Sequence, residues 1–138
     1  MINEYDNAVL YNDYVVREII ELVKAQAQNS FVVYLSDHGE EVFHEIDFVG
    51  HSEYHGTNAM FEVPFMLWLS EDFKKFQPRA DSLKAFTSRK YLLDDFMHSL
   101  FDLGRVQFDL HEPERSLFHP NFSSRKRMIQ KENDFDAH

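Results

Sequence analysis

The apolar residues at the start of the chain recur at intervals that predict a helix followed by a strand. In residues 8–27 they fall at three- and four-residue steps, with charged residues between them; this stripe comprises Ala8, Tyr11, Val15, Ile19, Leu22 and Val23. Asn29 and Ser30 interrupt the pattern, and the continuous apolar run Phe31–Leu35 is typical of a strand buried on both faces. A helix followed by a buried strand indicates an α/β fold.

Residues 36–60 form a polar segment that fits no single regular element. They are rich in histidine and acidic residues and contain Gly39, Gly50 and Gly56. We therefore predict a long loop. Loops longer than about 12–15 residues are uncommon in compact domains unless they carry function, so a functional site is expected here.

The next apolar run, Phe65–Leu69, predicts a second buried strand, which tolerates Pro64 only at its start. A short helix is expected around residues 72–76. A longer helix should be capped by Ser88 and ended by Gly104, and its apolar stripe comprises Tyr91, Leu92, Phe96, Leu100 and Leu103.

Periodicity is weak after residue 105. Residues 118–138 are predicted to wrap the surface and to add an edge strand near Met128 and Ile129. We therefore expect residues 1–138 to form a single partial domain, with an α/β core at 1–117 and a C-terminal wrapping segment at 118–138.

Charge excludes some classes of partner. The chain has 14 Lys and Arg residues against 24 Asp and Glu residues, which gives a net charge of -10. Such a surface repels phosphate backbones, so nucleic acid is not an expected partner. No apolar run approaches the roughly 20 residues that cross a bilayer, and we expect the chain itself to be soluble.

The absence of cysteine leaves histidine and carboxylate as the candidate metal ligands, and the chain has eight histidines. Asp37 and His38 directly follow the first predicted strand, and ligand sites in α/β sheets collect beyond the carboxyl ends of strands. Gly39 would let the backbone turn so that both side chains share a crevice. The competing interpretation is an ordinary turn with a capping Asp and a surface His.

Two further histidines support a site. His51 and His55 follow His38 by 13 and 17 residues, and each lies beside a glycine. We expect one of them to be functional, with His51 slightly favoured. His44 and the adjacent carboxylates Glu40 and Glu41 are interpreted as solvated side chains.

Several motifs together resemble the carboxyl-terminal part of the sulfatase-like phosphoethanolamine transferases of the alkaline phosphatase superfamily. They are Tyr5-Asp6-Asn7, Ser36-Asp37-His38-Gly39-Glu40, Gly50-His51, Val63-Pro64-Phe65-Met66-Leu67-Trp68, Arg125-Lys126-Arg127-Met128-Ile129 and Asp134-Phe135-Asp136. The resemblance implies a partial alkaline-phosphatase-like sheet flanked by helices, corresponding to the C-terminal half of the full domain.

The resemblance also implies roles for individual residues. Asp37 and His38 match a zinc-binding pair, with calcium or another divalent cation as the alternative, and His51 or His55 matches a histidine that holds the substrate phosphate or a second metal. The nucleophilic Thr lies in the family's N-terminal half, and neither Thr57 nor Thr87 matches it. We therefore expect metal ligands in this chain but no turnover by the chain alone.

The implied reaction moves a phosphoethanolamine group from a lipid donor onto a lipopolysaccharide sugar. The parent protein would lie in the inner membrane with its catalytic domain in the periplasm, and the missing N-terminal half would be a partner. The alternatives are a sulfatase or phosphoglycerol transferase of the same superfamily, or a catalytically silent domain that binds a partner. In the last case, an exposed sheet surface would favour a homo-oligomer.

Overall fold

The structure is a computed structural model that describes residues 2–26, 28–52, 54–76, 83, 85–129 and 133–137. The chain divides into two compact units, Met1–Ala80 and Asp81–His138. The helices are α1 Ile2–Gln26, α2 Asn58–Phe61, α3 Glu71–Phe76 and α4 Phe96–Gly104. The strands are β1 Phe31–Leu35, β2 Glu41–Val42, β3 Val49–Gly50, β4 Phe65–Leu69, β5 Met128–Ile129 and β6 Asn133–Asp134. None of the helices in the described part of the chain has the length and apolar character needed to span a membrane.

Helix α1 begins earlier than predicted, and its buried face is shifted from the predicted stripe. It starts at Ile2, whereas the prediction started at residue 8; Ala27, its predicted end, lies outside the described residues. Val16 is buried, and Ile20 is half-buried, as are Val15 and Val23 of the predicted stripe. The predicted core residues Ile19 and Leu22 are instead 46% and 57% exposed. Helix α1 carries apolar side chains on several of its sides, so periodicity alone did not determine which of them pack on β1.

Strands β1 and β4 match the predicted bounds and pair with each other in antiparallel fashion, from Phe31 opposite Leu69 to Leu35 opposite Phe65. Both are half-buried instead of buried on both faces, and Met66 is 39% exposed. Because the pair is antiparallel, β1 ends where β4 begins. The segment that joins them, residues 36–64, therefore starts and finishes at the same end of the sheet.

That segment is more ordered than the predicted loop. Strands β2 and β3 form a short hairpin in which Glu41 lies opposite Gly50 and Val42 opposite Val49. One helical turn, α2, then leads to β4. The hairpin is too short to show in the hydrophobic pattern, since each strand has two residues.

In the second unit, the predicted helix begins later than Ser88. The backbone is extended at Leu92, a 3₁₀ turn follows at Leu93–Asp95, and α4 starts at Phe96. The helix ends at Gly104 as predicted, although it is Arg105 that adopts the left-handed conformation, with φ of 53°. The predicted edge strand is β5, which pairs with β6.

The core of the second unit runs across the expected boundary at residues 117 and 118. Leu117 and Phe118 are 8% and 6% exposed, and Leu103 of α4 is 2% exposed. The backbone N–H of Leu117 donates to Ser99 Oγ at 2.9 Å. Residues on both sides of the expected boundary therefore belong to one unit, and the chain divides near residue 80 instead.

Buried charge also organises this unit. The Asp95 carboxylate, whose side chain is 5% exposed, pairs with Arg115 and Arg125 at 2.5 Å and 2.6 Å. A buried carboxylate needs such partners because an unpaired charge away from water is costly. Asp95, at the start of α4, is thus joined to the later segments that carry Arg115 and Arg125.

Candidate metal centre

The end of β1 places Asp37 and His38 side by side. The Ser36 hydroxyl donates to the His38 carbonyl at 2.7 Å, and the His38 backbone N–H donates to Asp37 Oδ1 at 3.1 Å. Asp37 Oδ1 lies 3.9 Å from His38 Nε2, with the Asp37 side chain 89% exposed. The two side chains therefore reach the same space from the tip of the strand.

The hydrogen bonding of His38 suits a metal ligand. Its Nδ1 lies 3.0 Å from the Gly39 carbonyl oxygen, which can only accept, so Nδ1 carries the proton. The other nitrogen, Nε2, then has a lone pair available for a cation. Two ligands of a tetrahedral zinc ion lie roughly 3.3–3.6 Å apart, so a small rotation of either side chain brings the pair to that separation. Asp37 and His38 would thus supply two of the four ligands that a tetrahedral zinc ion takes.

Gly39 is required for a different reason from the one predicted. A Cβ atom on this residue would lie 2.0 Å from the Ala59 carbonyl oxygen and 3.0 Å from that of Glu62. Its backbone N–H donates to the Met60 carbonyl at 2.9 Å. The glycine permits α2 to pack closely against the segment that carries Asp37 and His38.

Of the two later histidines, His51 is the one beside His38. The ring centroids of His38 and His51 are 3.7 Å apart. Glu40 joins them, and the donor atoms of His38, Glu40 and His51 lie within 4.8 Å of one another. His55 lies instead against the Phe48 ring, with centroids 5.5 Å apart, and is exposed.

Glu41 differs most from its predicted role as a solvated side chain, because it is 0% exposed. Its Oε1 accepts hydrogen bonds from the backbone N–H groups of His44 and Glu45. Burial raises the pKa of Glu41, but these bonds and the Thr57 hydroxyl outweigh that effect, so the pKa is lowered from its ordinary value. An ionised Glu41 thus holds together the turn between β2 and β3.

The sequence carried a weak signal for these two carboxylates. Successive side chains of an extended segment point to opposite faces, so of Glu40, just before β2, and Glu41, its first residue, one must turn inward and the other outward. Recognising this requires knowing that residues 41 and 42 form a strand and which residues they pair with.

Comparison with known proteins identifies the family of this chain. The family model described as Sulfatase matches residues 1–106. The chain is 41% identical over 131 residues to phosphoethanolamine transferase EptC of Escherichia coli strain K12, and the match covers 92% of this chain. This chain belongs to the sulfatase family.

Solved structures agree with this assignment. The C-terminal periplasmic domain of EptC from Escherichia coli superposes with a TM-score of 0.89 at 38% identity, covering 98% of this chain and 40% of that one. The same domain in complex with zinc gives a TM-score of 0.86 at 40% identity, covering 92% of this chain and 36% of that one. These matches confirm the resemblance predicted from the motifs, including the α/β fold class.

The matched relatives are much longer than this chain, which spans 22% of the length of Escherichia coli EptC. The relatives are transferases, and the zinc complex is a property of the solved domain. The activity, substrates and metal of this chain are therefore matters for proposal.

Proposed function

We propose that this chain is part of a metal-dependent phosphoethanolamine transferase in which Asp37 and His38 bind zinc and His51 contacts the substrate phosphate. The observation that carries the proposal is the 3.9 Å separation of Asp37 Oδ1 from His38 Nε2 at the end of β1, with His38 Nδ1 held 3.0 Å from the Gly39 carbonyl oxygen. The names of the relatives supply the reaction class.

The side chains have distinct tasks in this proposal. Asp37 contributes negative charge and an oxygen ligand, and His38 contributes a neutral nitrogen whose orientation is fixed by the Gly39 carbonyl. Zinc, when bound, stabilises negative charge on the transferring phosphoryl group. His51, whose ring centroid lies 3.7 Å from that of His38, is close enough to contact the same group.

The nucleophile is proposed to come from residues outside this chain. Two hydroxyls near the site are poorly suited to the task, since Thr57 is 6% exposed and the Ser36 hydroxyl donates to the His38 carbonyl. A group that attacks phosphorus needs both access to substrate and a base or metal to activate it. In the proposed whole protein, a lipid supplies the phosphoethanolamine group, a lipopolysaccharide sugar accepts it, and the reaction takes place in the periplasm at the inner membrane.

Calorimetric titration of zinc into the chelator-treated chain tests the metal site. Asp37→Ala and His38→Ala should each weaken zinc binding by at least about tenfold, since even changes outside the first layer of ligands cost about 10- to 100-fold. His55→Ala is the matched control and should leave the affinity unchanged, because this imidazole lies against Phe48. Equal affinity in all four proteins would contradict the proposed site.

A further inference from the structure

The Glu40 carboxylate lies near the Nδ1 atoms of both imidazoles of the site. Its Oε1 is 3.2 Å from His51 Nδ1 and 3.6 Å from His38 Nδ1. Only the contact with His51 is short enough for a hydrogen bond. His38 Nδ1 already donates to the Gly39 carbonyl, so its proton position does not depend on Glu40.

The β2–β3 hairpin explains why Glu40 and His51 meet. Glu41 and Gly50 are directly paired; Glu40 immediately precedes β2 and His51 immediately follows β3, so they flank that pair. Side chains alternate between the faces of a hairpin, so Glu41 is buried on one face while Glu40 and His51 share the other. Gly50 adopts a φ of 112°, a conformation that disfavours any side chain at this corner.

The contact has a definite chemical consequence for His51. A carboxylate oxygen accepts a hydrogen bond and an imidazole nitrogen donates one only when it carries a proton, so the contact favours the proton on Nδ1. The lone pair of the neutral ring is then on Nε2. Carboxylates that accept from the far nitrogen of an imidazole fix the tautomer and orientation of the ring in many metal sites.

We propose that Glu40 is a positioning residue, which holds His51 in the Nδ1-protonated form and leaves Nε2 free to face the substrate or a cation. This inference deepens the proposed function and rests on it for the role of Nε2. Glu40 acts through His51 and is not itself assigned as a zinc ligand.

The tautomer can be measured directly by long-range proton–nitrogen NMR correlation on the chelator-treated chain at alkaline pH. His51 should be mainly Nδ1-protonated in the unmodified chain. Glu40→Ala removes one hydrogen bond and should therefore lower the ratio of Nδ1-protonated to Nε2-protonated His51 by about 2- to 10-fold. Glu40→Gln should retain it, because the amide oxygen can still accept.

His55 provides an internal control in the same spectra, since its tautomer should not respond to either substitution. A His51 ring that is mainly Nε2-protonated in the unmodified chain, or one that is unaffected by Glu40→Ala, would overturn the inference. A Glu40→Ala chain that loses as much zinc affinity as His38→Ala with no change in the His51 tautomer would also overturn it, by making Glu40 a ligand. The zinc affinity of the unmodified chain tests the proposed function separately.

Discussion

Gly39 has no side chain, and this allows the segment that carries Asp37 and His38 to pack against α2. The backbone at this residue passes so close to α2 that an added Cβ would lie 2.0 Å from the Ala59 carbonyl oxygen. Either α2 or the Asp37–His38 segment would have to move to admit a methyl group. The stability of the first unit and the geometry of its metal ligands are therefore coupled at this residue.

We expect Gly39→Ala to lower the free energy of unfolding by about 1–3 kcal/mol, the usual cost of overpacking, and to weaken zinc binding. Urea unfolding and calorimetric titration measure the two effects. Gly104→Ala is the matched control, because its Cβ would meet only Val106 at an ordinary 3.6 Å. Gly104→Ala should leave the free energy of unfolding unchanged or raise it by up to about 1 kcal/mol, because alanine favours helix. Similar behaviour of the two variants would contradict the close approach.

His98 gives the second unit a dependence on pH. It is 8% exposed, and its Nδ1 accepts a hydrogen bond from the Glu112 backbone N–H at 3.1 Å. Burial, assisted by the positive charge of Arg115, lowers the pKa of His98 from its ordinary value of 6.5. His98 is therefore harder to protonate in the folded protein than in the unfolded chain.

The stability contributed by neutral His98 should be fully present above pH of about 6.5 and lost as the pH falls below that value, where the unfolded chain takes up the proton first. The urea concentration at the midpoint of unfolding should fall as the pH is lowered through this range. His98→Gln keeps a hydrogen-bond acceptor without the titration, so its decline should be smaller. Identical pH profiles for the two proteins would show that His98 does not contribute.

At the scale of elements, α1 shows where periodicity stops being informative. The predicted stripe included Ile19 and Leu22, whereas the structure packs Val16 inward. A helix with apolar residues on several sides has more than one face that could meet the sheet. The bounds of β1 and β4 were predicted accurately because continuous apolar runs between polar residues are typical of strands. The sequence did not reveal their pairing, and both strands are less buried than predicted.

Two alanine substitutions on α1 can test which of its faces is buried. Val16→Ala removes buried methyl groups and should destabilise the chain by about 1–3 kcal/mol. Ile19→Ala removes a larger apolar group from a side chain that is 46% exposed, and should change stability by no more than about 0.5 kcal/mol. Urea unfolding of both variants gives the order of the two effects. The reverse order would restore the face predicted from the sequence.

The carboxylates of the site show what local patterns cannot supply. Asp37, His38 and His51 stood out because of their residue types and neighbouring glycines. Glu40 and Glu41 have the same side chain, yet one contacts His51 while the other is 0% exposed and holds a turn. Their roles follow from the pairing of β2 with β3, a tertiary feature that two-residue strands do not encode in their hydrophobicity.

At the scale of the whole molecule, the order of motifs along the chain identified the family that the comparisons then showed. The division into two units was harder to anticipate. It depends on contacts such as that of Ser99 with Leu117, which join residues that lie far apart in the sequence. The proposed metal centre lies entirely within the first unit, so its test does not depend on how the two units are arranged.

Zinc binding by Asp37 and His38 can be tested by crystallising the chain with zinc and collecting data on both sides of the zinc absorption edge. We expect an anomalous peak at about 2.0–2.2 Å from a carboxylate oxygen of Asp37 and from Nε2 of His38. A fully occupied zinc ion bound elsewhere, with Asp37 and His38 free of metal, would contradict it.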